Sequence, residues 1–179
     1  MIDVETQRTW NFDPGYTTVE FVIRNLWFNV RGRFRDLEGT LVLDESDISR
    51  SSVNATIKAG SIDTGNKRRD AHLLLKDFFD VENFPEIEFK STSIRRGRDR
   101  DSLDLDGNLR IKDKTVPVAL SVNEMDRSRS PNGEEFVYYS ATAELDRCAF
   151  GINYGRGIIG RRLHVTINVQ ACDTSQTRR

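Results

Sequence analysis

Cysteine and histidine are scarce in this chain, with two of each among 179 residues. So few cysteines exclude a small domain stapled by disulfides. Cys148 and Cys172 fall on two segments that read as neighbouring antiparallel strands, at opposite ends of their ladder. About nine residues of strand separate them, roughly 30 Å, whereas a disulfide needs Cα atoms within about 7 Å. Two free thiols are therefore expected, with packing roles. No apolar run reaches the ~18 residues of a membrane-spanning helix. No excess of one charge is present either: 27 basic and 28 acidic residues leave a formal −1. That argues against nucleic acid as a partner, which calls for a basic stripe. The opening MIDVETQRTW lacks the basic and apolar regions of a signal peptide. The expectation is cytoplasmic, or periplasmic if the chain is a mature form. No repeat, no low-complexity segment and no G-x-S-x-G, H-E-x-x-H or phosphate-cradling glycine loop occurs.

A strong period of two is present instead. Val19, Phe21 and Ile23 alternate with polar residues, as do Val53, Ala55, Ile57 and Ala59, then Ile87 and Phe89, then Leu163, Val165, Ile167, Val169 and Ala171. One apolar and one wet face per segment is the signature of antiparallel sheet. The alternation predicts strands near 7–12, 16–24, 27–44, 52–59, 86–96, 101–112, 115–127, 134–148 and 162–173. The long piece 27–44 carries Gly32 and Gly39 and is expected to bend. The length suits one domain, residues 1–179, with 174–179 a frayed tail. Eight or nine strands of consistent parity predict an all-β fold closed into a barrel, which removes exposed edges.

Asp106-Gly107 resembles a hairpin turn, but Leu103, Leu105, Gly107, Leu109 and Ile111 keep one parity through it. Gly107 is therefore placed inside a strand, where the backbone bends or is closely approached. The turn is placed at Asp113-Lys114, pairing Ile111 with Val116, Leu109 with Val118, Gly107 with Leu120 and Leu105 with Val122. The mixed-sign run Arg95 to Asp101 reads as a solvated hairpin tip.

One stretch, Lys67-Arg68-Arg69-Asp70-Ala71-His72-Leu73-Leu74-Leu75, breaks the rhythm. Ala71, Leu74, Leu75, Phe78 and Phe79 recur on one helical face, and Asn66 suits an N-cap. Three basic residues in a first turn oppose the helix dipole. Two readings follow. The basic head and backbone N–H groups hold a phosphate or carboxylate, or Lys67 and Arg68 face solvent while Arg69 joins a structural ion pair. Arg147 shares the inward parity of Tyr139, Ala141, Ala143 and Leu145, so its guanidinium needs a carboxylate or an anion. An Arg147–Asp70 bridge fastening helix to sheet is expected.

An ordered set of stretches resembles the YceI-like family of lipocalin-like, polyisoprenoid-binding proteins. The matches are Trp10-Asn11-Phe12-Asp13-Pro14, Val19-Glu20-Phe21, Gly32-Arg33-Phe34 with Gly39, and Ser61-Ile62-Asp63-Thr64-Gly65-Asn66. They continue with Arg69-Asp70-Ala71-His72-Leu73, Asp77-Phe78-Phe79, Phe84 to Ser93, Gly107-Asn108-Leu109 and Arg147-Cys148-Ala149-Phe150-Gly151-Ile152. Tyr16-Thr17 stand where the family often has His-Ser, and Asp113 where it has Gly. The resemblance implies an elongated eight-stranded antiparallel barrel with a short helix packed at one end, a long apolar pocket for a polyisoprenoid or other long-chain lipid, and a homodimer as a possible assembly.

The ligand-cavity residues expected on the inward parity are Phe21, Ile23, Phe34, Ala55, Ile57, Phe89, Leu109, Ile111, Val118, Leu120, Tyr139 and Ala141. Small positions there (Ala55, Gly107, Ala141) leave room between large ones. Arg68, Arg69, Asp70, His72 and Arg147 are the candidates for holding a head group or fastening the helix. Three functions compete. The first is a non-enzymatic lipid binder with no cofactor beyond a bound isoprenoid lipid. The second is a filled structural barrel. The third is a cupin-type metal enzyme, which needs several ligands, usually histidines. His164 lies on the outward parity and His72 reads as packing or capping, so no metal site is expected.

Overall fold

The structure, a computed structural model, describes residues 7–174. Strands form where apolar residues alternate: β1 (Gln7–Phe12), β2 (Thr18–Asn25), β3 (Asn29–Phe34), β4 (Leu37–Asp44), β5 (Ser52–Lys58), β6 (Ile62–Asp63), β7 (Glu86–Arg96), β8 (Ser102–Ile111), β9 (Lys114–Arg129), β10 (Glu135–Asp146) and β11 (Ile159–Asp173). All neighbouring pairs are antiparallel. Eight of them run β1-β4-β5-β7-β8-β9-β10-β11 and close where β1 also pairs β11, Trp10 opposite Asp173 and Phe12 opposite Ala171. The long β11 has two neighbours on its free side. Its C-terminal part takes β1, and its stretch from Ile159 to Asn168 takes β2. The β2–β3 hairpin thus continues the wall past the end of β1, and β3 pairs the short β6.

Four expectations are corrected. The segment 27–44 is two strands broken at Arg35-Asp36, because its halves serve different neighbours: β3 lies on β2 and β6, β4 on β1 and β5. The β8–β9 turn is Lys112-Asp113, not Asp113-Lys114, with Lys112 in the left-handed region at φ 56°. Ile111 therefore faces Lys114, Leu109 faces Val116 and Leu105 faces Leu120. A slip of two residues keeps every side chain on its own face, so parity could not detect it. The helix α1 (Lys67–Leu73) is shorter than the apolar period through Phe79. Tight turns follow it, with Phe78 N donating to Leu75 O and Phe79 N to Leu73 O. They send Phe78 against Tyr154 and Phe79 edge-on to Phe34, leaving Ala71 and Leu75 exposed. Thr174, placed in a frayed tail, is tied by its N–H and its hydroxyl to Thr9 O, both at 3.0 Å. Residues 175–179 lie outside the described residues.

The apolar interior divides into two clusters. One surrounds Trp10, Leu43, Val137 and Ala171 at the end where β1 closes the ring. The other surrounds Phe34, Ile62, Phe78, Phe150 and Ile152 at the α1 end. Cys148 and Cys172 are free thiols, the second opposite Phe136 and the first beyond the other end of β10.

Candidate ligand-binding site

The inward parity of the strands surrounds a cavity of about 450 Å³. All twelve expected cavity positions line it, with both ends of the barrel contributing. Gly107 is a strand residue, as the parity argument required, but it does not supply the room assigned to it. The Phe89 ring lies over it, so that a Cβ there would stand 2.3 Å from Phe89 Cζ. Phe21 covers Gly32 and Phe12 covers Gly39 in the same way. The inward glycines are seats for rings, which lets large aromatics lie along the wall. Phe12, Phe79 and Tyr154 also line the space and were not among the expected cavity residues. Phe12 shares its strand's inward parity with Trp10, which was a legible signal. Tyr154 sits in a loop and gave none.

Polar lining groups gather at the α1 end: Asn25, Thr64, Arg69, His72, Arg147 and Tyr154, with Ser51 and Tyr139 elsewhere. Burial and the neighbouring Glu124 push the Tyr139 hydroxyl far above the usual phenol range. Arg68 and Asp70 do not line the cavity. Lys67 and Arg68 face solvent at the start of α1, and Asn66 caps it by accepting from Arg69 N at 3.0 Å. Arg69 forms no ion pair among the described residues. Its guanidinium donates to Thr64 Oγ1 and Thr64 O, at 2.8 and 2.9 Å.

The expected Arg147–Asp70 bridge is absent. Asp70 accepts from Thr64 N at 3.0 Å and from its hydroxyl at 2.5 Å, closing the loop before α1. Strand β10 ends at Asp146, and Arg147 opens a 3-10 turn over Arg147–Phe150 while still reaching inward. It is buried and donates to four backbone carbonyls: Ile152, Tyr154, Ile159 and Gly160, at 2.7–2.9 Å. No carboxylate pairs with it among the described residues. Its charge is compensated by carbonyl dipoles, and it fastens the β10–β11 loop rather than the helix. The loop then holds the helix: Tyr154 packs on His72 (centroids 5.0 Å, 83°) and on Phe78 (5.1 Å). His72 packs on Phe78 as well. His164 is on the outer face near Glu144. Among the described residues, no group of three or more His, Cys, Asp or Glu side chains is placed to hold a metal ion.

The YceI-like domain family matches residues 10–171. The chain belongs to this family. Protein YceI of Salmonella arizonae is 33% identical over 153 residues, covering 85% of this chain and 79% of that protein. Among solved structures, BcnA of Burkholderia cenocepacia superposes with a TM-score of 0.80 at 20% identity, over 89% of this chain and 98% of that one. A polyisoprenoid-binding domain from Saccharophagus degradans, implicated in plant cell wall breakdown, superposes at 0.65 with 13% identity, over 90% and 97%. At these identities the structural likeness fixes the closed antiparallel barrel that YceI-like proteins share. No helix among the described residues is long and apolar enough to cross a membrane.

Proposed function

We propose that this protein binds an isoprenoid or similar long-chain lipid without catalysing a reaction on it. The carrying observation is the shape of the interior: an apolar cavity of about 450 Å³ along the barrel, with most of its polar lining groups at one end. That volume lies within the ~300–1,000 Å³ of small-molecule sites. Each methylene moved from water into it is worth about 0.8 kcal/mol, so a hydrocarbon chain binds by burial alone. The head of the lipid sits at the α1 end. Asn25, Thr64, His72 and Tyr154 offer hydrogen bonds there, and the Arg147 and Arg69 guanidinium groups offer positive charge. Family membership and the polyisoprenoid-binding structural relative support the same reading.

The test is organic extraction of gently purified protein followed by mass spectrometry, together with uptake of an added polyprenyl lipid by the stripped protein. A bound isoprenoid, or uptake that Ala55→Trp reduces at least tenfold, is expected. Protein that carries no lipid and takes none up overturns the proposal and leaves a filled structural barrel.

A further inference from the structure

The tip of the β2–β3 hairpin has the wrong chemistry for a turn. Tight hairpin turns take Gly, Asn or Asp, which adopt the needed backbone or bond to it. Here the turn is Leu26-Trp27-Phe28, closed by Asn25 N donating to Phe28 O at 2.8 Å. None of the three is buried: Leu26 is 55% exposed, Trp27 84% and Phe28 55%. Ile158, in the neighbouring β10–β11 loop, is 58% exposed. Leu26 and Ile158 flank one surface groove, together with Arg24, Arg156 and Arg161. The tip begins at the cavity wall, since Asn25 pairs Ile159 and both line the interior.

Charge is segregated at this end. Acids make up 28 of the 179 residues, yet none occurs from Phe21 to Arg35 or from Arg147 to Cys172. Arg161 is paired with Asp146, Arg162 with Glu144, and Arg33 and Arg35 with Asp63. Arg24, Arg31 and Arg156 have no carboxylate partner among the described residues, and Arg156 donates only to Asn153 Oδ1. Lys67 and Arg68 are likewise exposed, on the helix that packs against the same loop through Tyr154. Exposed Trp, Phe and Leu ringed by unpaired arginines match a membrane interface, where aromatic rings sit at head-group level and basic residues meet anionic lipid.

We propose that this end of the barrel docks on an anionic lipid bilayer. Trp27, Phe28 and Leu26 enter the interface, Arg24, Arg31 and Arg156 contact lipid phosphates, and the cavity end faces the membrane. The purpose, passage of a lipid between bilayer and barrel, rests on the function proposed above; the docking does not. The chain has two tryptophans, and Trp10 is buried at the opposite end. A change in tryptophan emission on adding vesicles therefore reports on the tip.

The experiment is vesicle flotation with the wild-type protein. Vesicles are of phosphatidylcholine alone, or of phosphatidylcholine and phosphatidylglycerol in equal parts. Tryptophan emission and its quenching by brominated lipid are recorded alongside. The expected result is co-flotation with the anionic vesicles only, with blue-shifted and quenched emission. Trp27→Ser with Phe28→Ser abolishes co-flotation while leaving thermal unfolding unchanged. Arg24→Gln, Arg31→Gln and Arg156→Gln together weaken binding about tenfold or more. No flotation with anionic vesicles overturns the proposal. So does binding that the tip variant leaves intact, or a wild-type dimer that the tip variant converts to monomer, because the face then belongs to a second copy. Vesicle binding by protein that takes up no lipid would remove the ligand reading and keep the docking. A lipid-loaded protein that ignores vesicles would do the reverse.

Discussion

The two ends of this barrel are built from the same strands and finished in opposite ways. Where β1 closes the ring, the chain spends its charges on one another. Arg8 is held by Asp173 and Glu135 and stacks 4.7 Å over the Trp10 ring, which is 1% exposed. Buried Asp44 accepts from Ser46 N, Ser46 Oγ and Asp47 N, with Arg50 at 2.8 Å. At the α1 end, the Arg147 guanidinium faces carbonyls alone, Arg24, Arg31 and Arg156 have no carboxylate partner among the described residues, and aromatic rings face solvent. Ion pairs between exposed groups add little to stability, but a partly buried network of charges and hydrogen bonds fixes the shape of the ring at one end. Among the described residues, Trp10 Nε1 finds no acceptor there and Asp44 Oδ2 meets only Arg50. The other end is left with surface that folding does not use. That asymmetry separates a part of the molecule tied together by its own charges from a part available for the ligand proposed above.

The largest effect expected is at the closed end. Trp10→Ala removes a fully buried indole and the platform under Arg8, at a cost of about 3–5 kcal/mol. Urea unfolding would measure it. Lipid uptake per folded molecule should stay within twofold of the wild type. A loss of uptake exceeding the loss of folded protein would mean that the two ends are not separable.

Next in size is Arg147→Ala. Four backbone carbonyls lose their donor, that of Ile152 buried and the other three part-buried, and the loop that carries Tyr154 loses its anchor. Orphaned buried polar groups cost about 1–3 kcal/mol each; with water reaching some of these, a net loss of about 3 kcal/mol is expected. Hydrogen exchange should rise from residue 152 to 160 and in α1, while β1 and β10 change little. Arg147→Lys should recover less than half, because an ammonium group cannot present the planar fork that reaches four oxygens. Uniform exchange across the barrel would show that Arg147 does not act locally.

Gly107→Ala should cost about 1–3 kcal/mol as an overpacked site, since its Cβ would meet both the Phe89 ring and the Lys90 carbonyl, the latter at 2.7 Å. Adding Phe89→Leu should return part of that loss in a double-mutant cycle. Simple additivity would mean that the ring is not what excludes the methyl group.

These sites also mark what the sequence could and could not convey. Strand existence and facing were legible because alternation encodes which face is buried. The strands at Gln7–Phe12 and Glu86–Arg96 fall on their expected bounds, and the other expected strands lie within three residues except for the broken 27–44; the two-residue β6 (Ile62–Asp63) was not expected. Register was not legible: the β8–β9 turn moves by one residue and its pairing by two with no change of face. The need for Arg147 to find a partner was legible from its inward parity. The partner was not, because backbone carbonyls are carried by every residue and leave no mark in the side-chain pattern. Gly107 was read correctly as a strand glycine and wrongly as empty space, since the ring that occupies it comes from two residues up a neighbouring strand. Trp27-Phe28 passed as the start of a strand, with Leu26 in the gap before it, although three large apolar residues at a reversal were the signal.

The smallest effect expected is electrostatic, at the α1 end. Asp63 accepts from Gly65 N at 2.9 Å and pairs with Arg35 at 2.5 Å and Arg33 at 3.2 Å. The Gly65 N–H first, and the two arginines after it, hold its carboxyl down at about 2. A carboxyl depressed in the folded state stabilises that state fully above its unfolded pKa, and the contribution fades as pH falls toward the folded value. The relevant window is therefore from the ordinary aspartate range down to about 2. Asp106, Asp146, Glu88 and Glu135 are lowered as well, by Arg95, Arg161, Arg110 and Arg8 in turn. The melting temperature should accordingly fall as the buffer is acidified through this window. Asp63→Asn should lower it slightly at neutral pH and make the acid slope shallower, by the share of one carboxyl among several. Because Asp63 ties β6 to β3 directly beneath α1, its loss should also raise hydrogen exchange in the helix. An unchanged slope would mean that the arginines release Asp63 to solvent, and that the helix end is held by Arg147 and Tyr154 alone.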